Sequence, residues 1–286
     1  MKRLGIAFSE YVKWLKNDKQ IIFLFTLICL YMFSISPMKE YIAMFGEPVN
    51  ALEPYVTFIT NVFCVPVITL TFAVLMIDFP DISANATFVL IRTGRARWYR
   101  SQVGFVIMAA ATMLVILFVF GIVAIQPQGF VGNVWSNSAK LVNAQTMETN
   151  FFRSTNPLSF LDLSVMTNFS VVGAVAVCSL LTVLHLTFCA QLQMTLALRF
   201  NRIIGLAANL LTLGAGMALQ IIGLKICWLF PFAHSTAGKH YDELFNEVIF
   251  PVWGSVLYLV AANIAMYFIG VRVIKRKNLS LMAKED

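Results

Sequence analysis

The chain has 286 residues, of which 59% are hydrophobic and only 12% carry a charge, and its mean hydropathy is +0.78. Soluble domains carry about a quarter charged residues, so this composition excludes a soluble globular protein and predicts an all-α, polytopic membrane protein. The net charge of +7 does not indicate nucleic-acid binding, because the basic residues flank the apolar runs, as membrane topology requires.

The first 19 residues predict an amphipathic helix that lies at the membrane interface. Phe8, Tyr11 and Leu15 fall on one face at helical spacing, whereas Lys13 and Lys16 fall on the other. Aromatic and aliphatic side chains opposite lysines are typical of helices that bind the lipid headgroup region. The lysines interrupt any apolar core and no small-residue cleavage pattern follows, so a secretory signal peptide is not indicated.

Six uncharged apolar runs follow, each within or just above the range of about 17–25 residues that a helix needs to cross about 30 Å of hydrocarbon. They cover residues 20–36, 54–77, 102–125, 167–192, 203–224 and 248–270. The fourth run is expected to continue as a helix as far as Arg199. The prediction is thus a transmembrane domain over residues 20–272 with a cytosolic tail over residues 273–286 and a long external loop at 127–166.

The lysines and arginines set the predicted orientation. Sixteen of the 21 lie in the N-terminal segment, the loop at 78–101, the turn before the fifth run and the tail, and five lie in the other loops. Cytoplasmic segments carry the excess of basic residues. Both termini and the loop at 78–101 are therefore predicted to be cytoplasmic, which agrees with an even number of spans.

The loop at 78–101, called the elbow below, holds two acids, then a short apolar segment, then four arginines. Pro80 ends the preceding helix, Ser83 can cap a new one, and Gly94 can adopt the left-handed conformation that ends it. A short helix over residues 84–92 is expected at the membrane face. Two interpretations stay open, a docking surface for a cytosolic partner and a basic loop that only fixes topology.

Residues that support catalysis or metal binding are scarce. The five cysteines lie in or beside the apolar runs with no CxxC pair, which is typical of packing. His185 lies alone in the fourth run and is expected to bond to a neighbouring helix. His234 and His240 match no metal-ligand spacing and are expected in a loop, residues 228–247, that is solvated or dips partly into the membrane. Hydrolase motifs are absent, so the sequence predicts a chain that is not an enzyme and has no catalytic, cofactor-binding or metal site.

The six runs contain no Asp, Glu, Lys or Arg. Ion-coupled carriers usually keep such residues near the midplane, where a charge costs on the order of 3 kcal/mol and is retained mainly for function. The chain also lacks a P-loop, because its one Gly-Lys pair, Gly238-Lys239, has neither the upstream glycine nor the following Ser or Thr. Energy for any transport would come from a separate ATP-binding subunit.

The predicted layout resembles that of the type-2 ABC exporter permeases: an interfacial N-terminal helix, six spans, a short cytosolic helix after the second span, and a partly re-entrant segment before the sixth. The elbow is also similar to the corresponding loop of small bacterial permeases associated with peptide or bacteriocin export and immunity. The residues that show the similarity are Asp78-Phe-Pro, then Leu90-Ile-Arg-Thr-Gly-Arg, then Trp98.

The resemblance implies a role for the elbow. In this family the short helix is the coupling helix, which docks on an ATPase subunit that binds ATP and Mg²⁺, and two permeases, identical or paralogous, assemble with two ATPases. Carried over, the docking positions are Phe88, Ile91, Arg92, Gly94 and Arg95. The resemblance also implies a location in the bacterial inner membrane and export of a peptide or another amphipathic substrate.

Two other functions stay open. The chain could be a secondary carrier or channel, or it could be a non-transporting membrane scaffold or immunity protein. A neighbouring reading frame that encodes an ATPase with Walker motifs would favour the ABC permease over both.

Overall fold

The computed structural model describes residues 3–81, 84–149, 161–242 and 245–277, and their regular structure is almost entirely helical. The first half of the chain forms helices α1 Arg3–Leu15, α2 Gln20–Leu30, α3 Ser36–Phe45, α4 Glu53–Thr60, α5 Cys64–Leu75, α6 Ala84–Thr93 and α7 Arg95–Ile125. The second half forms α8 Asn137–Thr149, α9 Leu163–Asn168, α10 Val171–Arg199, α11 Arg202–Ile221, α12 Pro231–Ser235 and α13 Val252–Arg276.

Short elements complete the fold. A π-helical turn, Tyr31–Ile35, joins α2 to α3. Two 3₁₀ turns, Lys225–Leu229 and Ala237–His240, flank α12. Two-residue strands, β1 Val49–Asn50 and β2 Gly129–Phe130, pair in parallel, with Val49 opposite Gly129.

Five helical segments of the described residues are long and apolar enough to cross a membrane. They are Gln20–Phe45, Arg95–Ile125, Val171–Arg199, Arg202–Ile221 and Val252–Arg276. A sixth is added if α4 and α5, which are bent by 75° to each other, form one span. The chain is therefore an all-α, multi-pass membrane protein with five or six spans, where the sequence predicts six.

The predicted run at 54–77 is not one straight helix. The break falls at Asn61, whose side-chain oxygen accepts hydrogen bonds from the backbone N–H groups of Phe63 at 2.9 Å and Cys64 at 3.3 Å. An asparagine in this position satisfies the free N–H groups at the start of a new helix. Pro66 lies in the first turn of α5, where its missing N–H is tolerated.

The first span is longer than the predicted run at 20–36, because the helix continues through Pro37 to Phe45. Pro37 lies in the first turn of α3 and has no N–H to donate to the turn before it. The π-helical turn directly before it accommodates the change of register. A proline that the pattern indicates as a helix end is here inside a continuous helical segment.

Helices α7, α10 and α13 form the centre of the bundle. Phe105 and Leu117 of α7, Leu181 of α10 and Leu259 of α13 are fully buried in one apolar cluster. The helix α10 extends to Arg199, as the sequence predicts. Between lipid-embedded helices, close packing of this kind supplies the attraction that the hydrophobic effect supplies in water.

The helices run up and down, so segments that are distant in sequence meet at two ends of the bundle. At the elbow end lie the elbow, the α10–α11 turn and the last residues of α13. At the loop end lie the β1–β2 pair, α8, α9 and residues 225–240. There the buried Glu53 carboxylate accepts hydrogen bonds from the N–H of Ser136 at 2.6 Å and its hydroxyl at 2.8 Å, which ties the loop after α7 to the start of α4.

Candidate functional site

Asp78, three residues after α5, is the ionic centre of the elbow end. Its carboxylate accepts hydrogen bonds from the Lys19 ammonium and, at 3.2 Å, from the Asn17 amide, and the Arg202 guanidinium lies 3.7 Å away. Burial alone would raise the pKa of Asp78, but these hydrogen bonds and the two positive charges hold it below its ordinary value. The ionised carboxylate therefore joins the α1–α2 junction, the elbow and the start of α11.

A second ionic contact joins α1 to the elbow. The Lys13 ammonium lies 3.1 Å from the Glu10 carboxylate and 3.1 Å from that of Asp81. Burial raises the pKa of Glu10, and the hydrogen bond from Lys13 only partly opposes this. Exposed ion pairs contribute only about 0–1 kcal/mol to stability. We therefore infer that the pair of Lys13 and Asp81 orients α1 and adds little to the stability of the fold.

One face of α6 packs against the bundle. Leu90 is 3% exposed and shares a buried cluster with Trp98 of α7, Leu198 of α10 and Ile274 of α13. Burial of a leucine contributes roughly 1.5–3 kcal/mol. The short helix is therefore attached to three long helices through a single apolar contact region.

The other face of α6 has no cover in the described chain. Phe88 is 73% and Ile91 63% exposed, and Arg92 is exposed beside them. These positions share one helix face, since they are spaced at i, i+3 and i+4. An aromatic, an aliphatic and an arginine side chain together have the composition of contact centres in protein interfaces.

Gly94 makes the turn from α6 into α7. Its φ of +85° and ψ of 139° differ from the left-handed helical conformation that the sequence predicts, and this region of backbone space is almost restricted to glycine. A Cβ atom at this position would meet nothing within 4 Å. The requirement for glycine is thus conformational and not steric.

Arg95, the fifth docking position implied by the resemblance, has partners within the chain. Its guanidinium donates to the backbone carbonyl of Ile274 at 3.3 Å and to that of Lys275. Carbonyls in the last turn of a helix lack intrahelical partners, and a positive charge there is favourable. Arg95 therefore holds the end of α13 to the start of α7. That it also docks a partner stays a prediction.

The helix α1 lies along α7. The Tyr11 hydroxyl is 2.7 Å from that of Thr112, and Trp14 is 1% exposed. Phe8 at 59% and Leu15 at 44% exposure point away from the bundle, so these two keep the outward face that an interfacial helix needs, whereas Tyr11 is half-buried. That this face lies in the lipid headgroup region stays a prediction.

The inner contacts of the elbow end were not found by sequence reasoning. Leu90 lies two residues after Phe88 and so, at about 100° per residue, on a different face of α6, which is a signal that the sequence contains. No local pattern links Leu90 to Leu198 or Ile274, because these contacts join residues far apart in the chain. Ser83, the predicted cap of α6, lies outside the described residues.

The structure corrects the prediction of a solvated loop around His234 and His240. His234 and His240 are fully buried and do not lie in a solvated loop. The five cysteines are free thiols. Among the described residues, no group of three His, Cys, Asp or Glu side chains could hold a metal ion.

Comparison with known proteins gives no match: no family model, curated protein or solved structure is similar to this chain. The geometry of the elbow end is therefore the observation from which a function is inferred.

Proposed function

We propose that the chain is the membrane-spanning permease subunit of an ATP-binding cassette transporter and that α6 docks it on a separate ATPase subunit. The observation that carries this proposal is the two-sided character of α6. Leu90 is buried against three long helices, whereas Phe88 and Ile91 on the outer face are 73% and 63% exposed. A helix that only fixed topology would not need two large apolar side chains in the open.

The attachment of α6 supports coupling as well as docking. Leu90 of its inner face lies in one buried cluster with Leu198 of α10 and Ile274 of α13, and Gly94 joins α6 directly to α7. A displacement of α6 would therefore move the ends of three spans together, since packed interfaces shift as units. This is the mechanical property that a link between an ATPase and a transport path requires.

The remaining parts of the proposal follow from the resemblance of the sequence to the type-2 exporter permeases. ATP and Mg²⁺ bind to the partner, two permease copies, identical or paralogous, assemble with two ATPases, and the substrate is a peptide or another amphipathic molecule. The proposed location is the bacterial inner membrane, with both termini in the cytoplasm.

The test is a pair of double variants. Phe88→Ala with Ile91→Ala removes the outer face of α6 and leaves every charge in place. Phe245→Ala with Ile249→Ala is the matched control, because these side chains are 77% and 52% exposed at the loop end. Each is co-expressed with an ATP-binding subunit that has Walker motifs, taken from a neighbouring reading frame, and the absence of such a reading frame would count against the proposal.

We expect the α6 variant to lose co-purification of the ATPase and substrate-stimulated ATP hydrolysis, with a normal level of permease in the membrane. Interface residues of these types cost about 2 kcal/mol each when truncated. The control variant should retain both activities. Equal behaviour of the two variants would remove the coupling-helix assignment and the main support for the ABC permease.

A further inference from the structure

Residues 225–240 form a compact segment with buried polar side chains at the loop end. They fold as two 3₁₀ turns on either side of α12 and pack against α10, α11 and α13. Four polar side chains here are fully buried although the segment lies between two spans: His234, Ser235, Thr236 and His240. Buried polar groups need partners, so the partners of the two histidines are decisive.

All four ring nitrogens of the two histidines have an oxygen within hydrogen-bonding distance. The His234 Nε2 atom lies 2.8 Å from the Trp228 carbonyl, and the His240 Nδ1 atom lies 3.1 Å from the Thr236 carbonyl. The other two nitrogens meet at one hydroxyl, because Ser255 Oγ on α13 lies 2.8 Å from His234 Nδ1 and 2.7 Å from His240 Nε2.

The protons of this arrangement can be counted. A carbonyl only accepts, so His234 Nε2 and His240 Nδ1 must each bear a hydrogen. The Ser255 hydroxyl has one hydrogen and can donate to one of the two remaining nitrogens. The last nitrogen then faces an oxygen lone pair unless it is itself protonated. The complete network therefore needs three ring N–H groups on two imidazoles, which is one proton more than two neutral histidines have.

We propose that His234, Ser255 and His240 form a binding site for a single proton, shared by the two rings, and that proton binding fastens residues 225–240 to α13. With the proton bound, all four contacts are hydrogen bonds. Without it, one nitrogen–oxygen contact at 2.7–2.8 Å lacks a hydrogen. This site is independent of the proposed ATPase partner.

Aromatic rings surround the two fully buried imidazoles, and a ring face can attract a cation. The Trp228 ring lies 5.4 Å from His234 and 5.1 Å from His240, and Phe250 lies 5.2 Å and 6.3 Å from them, centroid to centroid. The Tyr258 ring stacks on His234 at 3.9 Å. Ring faces attract cations within about 6 Å, most strongly where water is excluded.

Other titratable groups face the site from the elements packed around it. These are His185 of α10, whose ring lies 6.4 Å from Phe232, Tyr258 of α13, Cys227 of the first 3₁₀ turn, Tyr241 after the second, and Asp162 before α9, whose carboxylate lies against Gly238. The described residues of α11 contribute only Arg202, at the opposite end. Burial lowers the pKa of His234 and of His240 to about 4, with His234 further lowering that of His240. Burial thus opposes a charge on either ring, and the first proton is favoured because it completes the hydrogen bonds at Ser255. A second proton would add no hydrogen bond and is refused.

The test counts ring N–H groups in the full-length protein in liposomes, by nitrogen-15 NMR of labelled histidine rings from about pH 8 to about pH 4.5. The chain has three histidines, so the signals are assigned with His185→Gln. We expect the rings of His234 and His240 to bear three N–H groups at the acid end and to change with one common midpoint. Two N–H groups at the acid end, four, or two separate midpoints would overturn the proposal.

Ser255→Ala removes the shared oxygen and should split the common midpoint into two, whereas Ser255→Thr, which keeps a hydroxyl, should retain it. Ser235→Ala is the matched control, because Ser235 is equally buried but donates to the Phe232 carbonyl at 2.7 Å and not to a histidine. A common midpoint that persists in Ser255→Ala would contradict a site built on this oxygen.

Discussion

Helix α6 and the segment 225–240 are both short helical stretches between spans, but they differ in which side chains are exposed and which are buried. At the elbow end the large apolar side chains of Phe88 and Ile91 are exposed. At the loop end Phe232 is 1% exposed, and the polar His234 and His240 are fully buried with partners from the same chain. No described part of the chain covers the outer face of α6. The hydrogen bonds of the two histidines in segment 225–240 are all made within the chain, except that one of them needs an added proton.

This difference shows where to look for partners. The exposed apolar face of α6 at the basic end of the bundle is the surface that we propose a protein partner covers. A buried polar network predicts a small ligand that completes its hydrogen bonds.

The largest expected effect separates the two faces of α6. Leu90→Ala should destabilise the protein by about 2–5 kcal/mol, since it opens a cavity among Trp98, Leu198 and Ile274. Ile91→Ala on the exposed face should change stability by less than about 0.5 kcal/mol. Thermal unfolding in detergent measures both, and equal destabilisation by the two variants would mean that α6 is not two-sided.

A smaller effect is expected at Gly94. Gly94→Val should lower the free energy of unfolding by about 1–3 kcal/mol, because φ is +85°. Gly94→Ala should lower it nearly as much, because the space around the missing Cβ is open and the cost arises from the backbone conformation and not from side-chain size. Gly5→Ala in α1 is the control, since it also has open space but no positive φ and should be neutral or slightly stabilising. A Gly94→Ala variant as stable as the wild type would show that the turn relaxes at no cost.

Between about pH 6.5 and 4.5, the loop end and the Glu10 side chain of the elbow end should respond to pH in opposite directions. Burial lowers the pKa of His234 and of His240, so the folded pair binds at most one proton where the unfolded chain binds two, and stability is lost as pH falls below about 6.5. The opposite holds for Glu10, whose raised pKa makes its burial less costly in acid. The midpoint of unfolding should therefore fall between about pH 6.5 and 4.5, and less so in His234→Gln. A pH profile of His234→Gln identical to that of the wild type would argue against a buried pair that binds fewer protons than the unfolded chain.

The smallest perturbation tests the orientation of the two regions. Single cysteines at Val131, which is 78% exposed at the loop end, and at Arg276, after the last span, should react with an impermeant thiol reagent from the outside and from the cytoplasmic side, respectively. Ser136 is unsuitable for labelling because it is 1% exposed and bound to Glu53. Labelling of Val131→Cys only from the cytoplasmic side would invert the predicted topology.

Much of the fold can be predicted from local sequence. Long uncharged runs predict the spans, and the helix at Ala84–Thr93 lies where proline, glycine and the apolar spacing predict one. The errors in the spans have local causes as well. Asn61 bends the second span by capping a new helix, and Pro37 continues the first because it falls in the first turn after a π-helical turn. Each is a single residue whose effect depends on its register within a helix.

Only part of the candidate site can be predicted from local sequence. Phe88, Ile91 and Arg92 share a face by spacing alone, so their common exposure follows from helix geometry. The contacts of Arg95 with the end of α13 and of Asp78 with Arg202 span more than a hundred residues of chain, and no periodic pattern reports them. The same holds for Ser255, which no motif connects to the two histidines.

The sequence by itself determined that this protein is a helical, multi-pass membrane protein with a basic elbow, because hydropathy, charge placement and helix periodicity are sums over neighbouring residues. Only the tertiary structure decided which face of α6 is covered, that Arg95 turns inward, and that His234 and His240 share one serine. These outcomes depend on which helix ends meet, and in a bundle whose long helices are all apolar that choice is made by close packing and by a few hydrogen bonds between residues far apart in the chain.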